Sequence, residues 1–254
     1  MLLLVDAGNT RVKWALATDD AQPGEWLAEG AALHDGLDAL GAAWRAQAQV
    51  RAIVSNVAGP ELGARLAALL EPLSVDWFAS SAARAGLVNG YREPARLGCD
   101  RFAAAIGARA LAPGQALVVA TCGTATTIDA VTVDGRFVGG MILPGLALMA
   151  GALARNTAQL PQAGPVAALP ALFADNTNDA IVSGCLSAQA GAIERAVAGH
   201  GGAACIVSGG AAPYIAPALK VAHKLVDNIV LLGLHAVARA DAAPEADRKM
   251  GESA

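Results

Sequence analysis

The chain has 254 residues, a formal net charge of −4 and a charged fraction of 16%, well below the ~25% of typical soluble proteins. The negative charge and the absence of any Lys/Arg cluster argue against nucleic acid as the main partner. The longest apolar stretch, residues 139–154, contains Pro144 and is shorter than the ~20 residues of a membrane-spanning helix. Because Asp6 interrupts the N-terminal apolar run too early for a signal peptide, we expect a soluble, cytoplasmic protein with no membrane partner.

The N-terminal residues predict two strands joined by a polar turn. Residues 2–5 are continuously apolar, and residues 11–16 alternate between polar and apolar side chains. Residues 6–10, the first turn, read Asp-Ala-Gly-Asn-Thr and combine a carboxylate with turn-forming residues. Such a turn exposes backbone N–H groups that suit an anion. An ordinary hairpin would give the same local pattern, so the turn alone does not define a phosphate site.

The remainder of the N-terminal half alternates between strand and helix patterns. Pro60 suits the first position of a helix whose leucines share one face. The expected elements are a strand at 25–30, a helix at 33–47, a strand at 50–57, a helix beginning at 60 and a strand at 73–78. Three strands, helix, strand, helix, strand is the element order of a ribonuclease H-like lobe.

Residues 79–98 do not fit this alternation and predict a long loop around Tyr91. Loops of ~20 residues inside a compact domain are usually functional or mobile. The loop leads through Gly98 into Cys99-Asp100-Arg101 and then into an amphipathic helix. Asp100 stands where an N-cap is expected, so capping and catalysis are both open interpretations of its carboxylate.

A second copy of the N-terminal pattern begins at Ala116. With Gly123 laid over Gly8, the strand, the turn and the second strand coincide at an offset of 115 residues. We call residues 121–126 the second turn. A duplication at this distance indicates two related domains. Two such lobes, each with one phosphate turn, would enclose a nucleotide cleft, and this arrangement is typical of the acetate and sugar kinase/actin superfamily.

Later segments complete the second lobe. Asp134-Gly135 predicts a hairpin turn, and the glycines of Ser208-Gly209-Gly210 would let a flat ring approach the backbone. The other expected elements are a helix at 146–154, a loop at 155–178, a long helix to about Ala198, a strand at 205–207 and a final helix to about Arg239. We therefore expect an α/β fold with two duplicated ribonuclease H-like lobes, at 1–114 and 115–239, and a disordered tail at 240–254.

Taken in order, the two turns, Gly98-Cys99-Asp100-Arg101, Asn176-Thr177 and the Ser-Gly-Gly turn resemble type III pantothenate kinases over residues 1–239. The resemblance implies ATP-dependent phosphorylation of pantothenate to 4'-phosphopantothenate, the first step towards coenzyme A. It also implies a homodimer with substrate sites near the subunit interface, which agrees with the low charged fraction. The partners are then pantothenate, ATP and a second copy of the chain.

The same resemblance assigns the site residues. Asp100 matches the catalytic base, and Asp6 would hold Mg²⁺ directly or through water. The positions matching ATP-binding residues are Asp6, Ala7, Gly8, Asn9, Thr10, Arg11, Val12, Lys13, Gly123, Thr124, Ser208, Gly209 and Gly210. Those matching substrate-binding residues are Tyr91, Gly98, Cys99, Asp100, Arg101 and Thr177. Lys13 is also compatible with plain strand surface, and Thr177 with an N-cap.

One position departs from the family pattern. The family commonly has an aspartate two residues before the glycine of the second turn, associated with a bound K⁺ or NH₄⁺ ion. Thr121 occupies that position. Since a neutral hydroxyl is a poorer cation ligand than a carboxylate, we expect little dependence on a monovalent cation.

Two alternatives remain open at the level of sequence. The chain could be another small-molecule kinase of the superfamily, since only residues 79–101 and Thr177 specify the substrate. It could also be a nucleotide-binding regulatory protein without turnover. Asp6, Asp100 and Arg101 argue against the second alternative, because binding alone does not require a base.

Overall fold

The computed structural model describes residues 1–46, 51–157, 159–161 and 169–242. These residues form two compact units. Of the described residues, unit 1 contains those of Met1–Gly114, Gly135–Phe137 and 228–242, and unit 2 contains those of Gln115–Asp134 and Val138–Asp227. Within the described residues, no helix combines the length and the apolar character needed to cross a membrane.

Unit 1 is built on a five-stranded sheet in the order β3-β2-β1-β4-β5. β1 pairs antiparallel with β2 and parallel with β4, as expected for a strand that is apolar on both faces. The elements are β1 (Leu2–Ala7), β2 (Arg11–Ala17), β3 (Ala28–Leu33), α1 (Leu37–Arg45), β4 (Arg51–Asn56), α2 (Pro60–Leu70), β5 (Ser74–Phe78), β6 (Ala83–Arg84), β7 (Leu87–Asn89) and α3 (Cys99–Leu111).

The core of unit 1 lies between this sheet and helices α1 and α2. Leu3 and Val5 of β1 pack in one buried cluster with Trp44 of α1 and with Leu62 and Leu66 of α2. The helical leucine spacing therefore marked the buried face of α2, and Pro60 is its first residue, as predicted. This packing fixes the end of β1, from which the first turn projects.

Unit 2 repeats the same strand plan. Its sheet has the local order β10-β9-β8-β11-β12, with β8 antiparallel to β9 and parallel to β11. The elements are β8 (Leu117–Cys122), β9 (Ala125–Val131), β10 (Arg136–Pro144), α4 (Leu146–Asn156), α5 (Thr177–Gly199), β11 (Ala204–Ser208), α6 (Ala212–Ile215) and β12 (His223–Leu225). The first two residues of β10, Arg136 and Phe137, belong to unit 1. β1 and β8 begin and end at positions that differ by the same 115 residues as Gly8 and Gly123.

The last helix, α7 (Ile229–Ala242), belongs to unit 1, although the sequence placed residues up to 239 in the C-terminal lobe. Two glycines permit its close approach to α3. A Cβ on Gly233 would overlap the backbone of Ala103, and one on Gly107 would crowd the backbone of Ile229. Apolar periodicity predicts that a helix is buried but does not identify its partner. The helix also continues past the expected start of the tail at 240, and residues 243–254 lie outside the described residues.

Several boundaries differ from the sequence expectations. The helix expected at 33–47 begins as a short 3₁₀ turn, His34–Gly36, before α1, and the strand expected at 25–30 is β3. The glycine-rich stretch after Val138 continues as β10 up to Pro144. α6 and β12 were not predicted, because each is too short to show a periodic pattern.

Candidate active site

A backbone hydrogen bond closes the first turn, and the residue that follows β3 contacts the turn. The Gly8 N–H donates to the Arg11 carbonyl at 3.2 Å, and Nε2 of His34 lies 2.9 Å from the Gly8 carbonyl oxygen. Arg65 donates to the backbone carbonyl of His34, which holds the histidine at the end of β3. His34 was missed by the sequence analysis, since its relation to Gly8 depends on the pairing of β2 with β3.

The side chains of the first turn divide into two groups. Ala7 and Val12 are completely buried in the core, so only their backbone groups are available to a ligand. Asn9, Thr10 and Arg11 are exposed. Residues 8–11 therefore present mainly backbone and polar groups at the surface of unit 1, as phosphate contact requires.

Asp6 and Asp100 form an interacting pair of carboxyl groups. Burial, and then the charge of Asp100, raise the pKa of Asp6 to about 7, while Lys13 lowers it. Lys13 lies directly opposite Asp6 across the β1–β2 pair. Burial also raises the pKa of Asp100, against the hydrogen bond that its carboxylate accepts from the Arg101 N–H. Strand β1 and the start of α3 thus bring two predicted site residues together.

Asp100 is not the N-cap of α3. The helix begins at Cys99, Gly98 occupies the cap position, and no side-chain capping bond is present. Oδ1 of Asp100 instead accepts from the Arg101 N–H at 2.8 Å. A Cβ on Gly98 would lie only 2.7 Å from this Oδ1, so glycine leaves room for the carboxylate. The capping interpretation is therefore wrong, and the carboxylate of Asp100 needs another explanation.

The thiol of Cys99 contacts two residues of strand β4. Its Sγ lies 3.4 Å from Oγ of Ser55 and 3.6 Å from the carbonyl oxygen of Asn56. Burial raises the pKa of this thiol, which keeps it protonated. Ser55 is the β4 residue paired with Asp6, so the contact ties the start of α3 to the strand beside Asp6.

Arg101 and Tyr91 meet in unit 1. The Arg101 side chain is buried, with 6% of its surface exposed, and its Cζ lies 5.8 Å from the centre of the Tyr91 ring. A solvated position on the helix surface is therefore excluded for Arg101. The two predicted substrate residues are neighbours because residues 79–98 fold back onto α3.

The second turn and the Ser-Gly-Gly turn adjoin each other in unit 2. The Gly123 N–H donates to the Ala125 carbonyl at 2.9 Å, and Ser208 is paired with Thr121 across β11 and β8. Gly209 has a φ of +96°, and a Cβ there would overlap the Cys122 backbone. Gly145, which the sequence analysis did not select, packs equally closely on the backbone of the second turn. Glycine is thus required on both sides of this turn.

Thr177 is the first residue of α5, and Asn176 is the N-cap, since its side chain accepts from the Asp179 N–H at 3.0 Å. The capping role considered for Thr177 therefore belongs to its neighbour. Thr177 lies at one end of an apolar groove between α4 and α5, which is lined by Met149, Leu153 and Ile181 among others.

The strand order of the two units and their glycine turns indicate the class of protein. Two units with one strand plan, each carrying a glycine turn after its first strand, are the architecture of the acetate and sugar kinase/actin superfamily. Among solved structures, a candidate 2-dehydro-3-deoxygalactonokinase from Sinorhizobium meliloti matches with a TM-score of 0.59 and 22% identity, over 96% of this chain and 100% of that one. A candidate Baf-family transcriptional activator from Campylobacter jejuni matches with a TM-score of 0.61 and 19% identity, over 94% and 98%. These likenesses show the fold.

Comparison of the amino-acid sequence with known proteins identifies the family. The model of the type III pantothenate kinase family matches residues 2–199. A type III pantothenate kinase of Herminiimonas arsenicoxydans is 57% identical, over 94% of this chain and 97% of its own length. One from Janthinobacterium sp. (strain Marseille) is 54% identical over the same shares. The chain belongs to the type III pantothenate kinase family.

Proposed function

We propose that Asp100 is the general base in the ATP-dependent phosphorylation of pantothenate, the activity of this family and the first step towards coenzyme A. The main support for this proposal is the interaction of Asp100 with Asp6 at the end of β1. Because of this interaction, the first turn has the carboxyl group of Asp100 nearby as well as that of Asp6. Proton transfer is most efficient when the pKa of the base approaches the working pH. Burial shifts the pKa of Asp100 in that direction.

The reaction would proceed by positioning and charge neutralisation. Asp100 would accept the proton of the primary hydroxyl of pantothenate as that oxygen bonds to the terminal phosphorus of ATP. The bond between this phosphorus and the oxygen that bridges it to ADP would break, so that ADP leaves. We propose that residues 6–13 and Gly123-Thr124 hold the phosphates mainly through backbone N–H groups. Ser208, Gly209 and Gly210 would border the adenine ring. Tyr91, Gly98, Cys99, Arg101 and Thr177 remain proposed substrate contacts.

Asp6 suits a magnesium ion that arrives with ATP. Its carboxyl group is partly buried and interacts with a like charge, an arrangement that a divalent cation would relieve. Mg²⁺ in kinases is typically held by one or two carboxylates and the substrate phosphates. No group of three or more metal-binding side chains occurs in the described part of the chain. When bound, the ion would neutralise charge on the phosphates.

A monovalent cation is not expected to be needed. Thr121 lies opposite Thr127 in the β8–β9 pair, so this end of the second hairpin has two neutral hydroxyl groups. The test is to measure turnover in a buffer whose only monovalent cation is a bulky organic one. Turnover is then measured again as KCl or NH₄Cl is added at constant ionic strength. We expect no saturable activation; strong activation by K⁺ would overturn the proposal.

We also propose that a second copy of the chain covers an apolar surface of unit 2. Gly140, Met141 and Ile142 are consecutive exposed residues of β10, so both faces of the strand are uncovered there. Ile142 is 64% exposed, and the groove between α4 and α5 is apolar. The low charged fraction of the chain supports a covered surface.

Light scattering on wild type, Ile142→Asp and Leu225→Asp tests the homodimer. Leu225 of β12 is also half-exposed in unit 2 and serves as the matched control. We expect a dimer for wild type and Leu225→Asp, and a monomer for Ile142→Asp. A dimer that survives both substitutions would place the interface elsewhere. The cytoplasmic location expected from the sequence stays a prediction.

Mass spectrometry of the products tests the function itself. The protein would be incubated with ATP, Mg²⁺ and pantothenate, and in parallel with a hexose as the acceptor. We expect phosphorylated pantothenate and no sugar phosphate. A sugar phosphate would support another kinase of the superfamily. The absence of any product despite nucleotide binding would support the regulatory alternative.

A further inference from the structure

The segment 79–98 has an internal framework rather than the form of an open loop. Asn89 is buried, and its Nδ2 donates to the carbonyl oxygens of Ser81 and Pro94, both at 3.1 Å. Its Oδ1 accepts from the Tyr91 N–H at 3.0 Å. One amide side chain therefore fixes both ends of the segment and the backbone of Tyr91.

The first residues of β10 attach this framework to a buried aromatic ring. Phe137 is completely buried and is paired with Asn89 across β10 and β7. The Gly90 N–H donates to the Phe137 carbonyl at 2.9 Å, and a Cβ on Gly90 would overlap that oxygen. The backbone of Phe137 is thus held independently of its side chain.

The side chain of Phe137 faces Arg101. Cζ of Arg101 lies 5.8 Å from the centre of the Phe137 ring and 5.8 Å from that of Tyr91. The two rings are 6.3 Å apart at an interplanar angle of 66°. A guanidinium group within about 6 Å of a ring centre is attracted by the ring quadrupole, more strongly when desolvated. Arg101 is buried, so both attractions act with little screening.

We propose that Phe137 is a positioning residue for substrate binding: its ring holds the Arg101 guanidinium in the orientation that binds the carboxylate of pantothenate. The inference rests on the proposed substrate role of Arg101. A guanidinium binds a carboxylate best through two parallel N–H donors, which requires a fixed plane. Two rings at a large angle restrict both rotation and translation of that plane.

The ring quadrupole can be weakened with little change in the shape of the side chain. Phe137 would be replaced by phenylalanine with one, two or three ring fluorines. Phe78 would receive the same replacements as the matched control, since it is also buried and has an arginine, Arg84, 5.5 Å from its ring centre. Thermal unfolding would verify that each protein is folded. Phe137→Leu and Phe137→Tyr would complete the set.

We expect KM for pantothenate to rise stepwise with fluorination at 137, reaching about threefold to thirtyfold, the equivalent of ~0.7–2 kcal/mol. kcat and KM for ATP should change by less than about twofold, and fluorination at 78 should have no effect on KM. Phe137→Leu should show the full rise, and Phe137→Tyr should restore the low KM.

The outcomes separate the inference from the function on which it rests. Active protein whose KM for pantothenate is insensitive to fluorination at 137, or is equally sensitive at 78, would overturn the positioning role and leave the proposed function intact. If the unmodified protein failed to phosphorylate pantothenate, both proposals would be overturned.

Discussion

The β1–β2 hairpin and its copy, β8–β9, share a backbone plan but differ in charge at one pair of matched positions. Each first strand pairs antiparallel with the following strand and parallel with a strand that comes later in its unit. Asp6 lies opposite Lys13 in the first hairpin, whereas Thr121 lies opposite Thr127 in the second. The first hairpin thus has an ionisable pair where the second has two neutral hydroxyl groups.

This difference indicates that the two turns have different roles in catalysis. The second turn is surrounded by glycines that bring backbone close to backbone, as at Gly145 and Gly209. The first turn lies beside two carboxyl groups with raised pKa values, Asp6 and Asp100. We therefore expect the charge-dependent steps of catalysis to depend on unit 1, and the second turn to contribute backbone contacts to phosphate.

The largest expected effect is that of Asp100→Asn. Asparagine keeps the shape of the side chain and can still accept from the Arg101 N–H, but it cannot take the hydroxyl proton. Loss of a general base typically lowers the rate by ~10²–10⁴. We expect kcat to fall in this range while calorimetric binding of a non-hydrolysable ATP analogue is retained. Near-normal turnover in a folded variant would exclude Asp100 as the base.

A smaller effect is expected when a side chain is added at either glycine turn. At Gly8 the nearest atom to a new Cβ is the Arg11 oxygen at 3.4 Å, and at Gly123 it is the Ala125 oxygen at 3.6 Å. Neither glycine has a positive φ, so both valine variants should fold. Displacing phosphate from charge-assisted hydrogen bonds should raise KM for ATP about tenfold to a hundredfold in each case. Unchanged KM in one variant would remove that turn from the phosphate site.

At pH 8, substitutions that remove or add a carboxyl group at the two matched positions should change the unfolding temperature in opposite directions. The pKa of Asp6 is about 7 in the folded protein, above the ~3.9 of an unfolded aspartate. A raised carboxyl pKa gives stability that is fully present below the unfolded value and is lost as the pH rises through about 7. Without nucleotide or Mg²⁺, Asp6→Asn should therefore unfold at a higher temperature than wild type at pH 8, and the difference should shrink towards pH 5.

The matched variant Thr121→Asp should behave in reverse. A new carboxylate in the partly buried second hairpin should lower the unfolding temperature at pH 8, by ~2–4 °C for each kcal/mol. Wild-type stability at pH 8 for Thr121→Asp, together with no gain for Asp6→Asn, would show that an ionised carboxyl group costs no stability at either position.

The smallest effect is expected at His34. Its contact with the Gly8 carbonyl is a single hydrogen bond of a partly exposed side chain, for which ~0.5–1.5 kcal/mol is typical. His34→Ala should raise KM for ATP by about twofold to tenfold, and His34→Gln, whose amide can donate, should recover part of the loss. Identical values for Ala and Gln would show that the hydrogen bond does not support the first turn.

Both hairpins could be predicted from the sequence, because each is formed by residues that are close together in the chain. The apolar run of β1, the alternation in β2 and the repeat at Gly123 fix the strands and turns. The leucine spacing likewise gave the buried face of α2. These signals depend only on neighbouring residues.

The contacts missed by sequence reasoning join residues that are distant in the chain. His34 reaches Gly8 through strand pairing, and Phe137 reaches Arg101 through the β7–β10 contact. α7 packs on α3 through Gly107 and Gly233, which is a matter of steric fit rather than periodicity. Asp100 was open to a capping interpretation because a helix start is uncertain by one or two residues in sequence.

The most direct test of the account is an exchange at the matched positions, measured as turnover of pantothenate by Asp6→Thr, Thr121→Asp and the double variant. Because Asp6 is proposed to neutralise charge through Mg²⁺, its loss should lower kcat by ~10²–10³, the range found when one electrostatic contact to a transition state is removed. We predict this loss in Asp6→Thr and in the double variant, and nearly normal turnover in Thr121→Asp. Nearly normal turnover in Asp6→Thr, or its recovery in the double variant, would contradict the claim that the hairpin with Asp6 opposite Lys13 is the catalytic one.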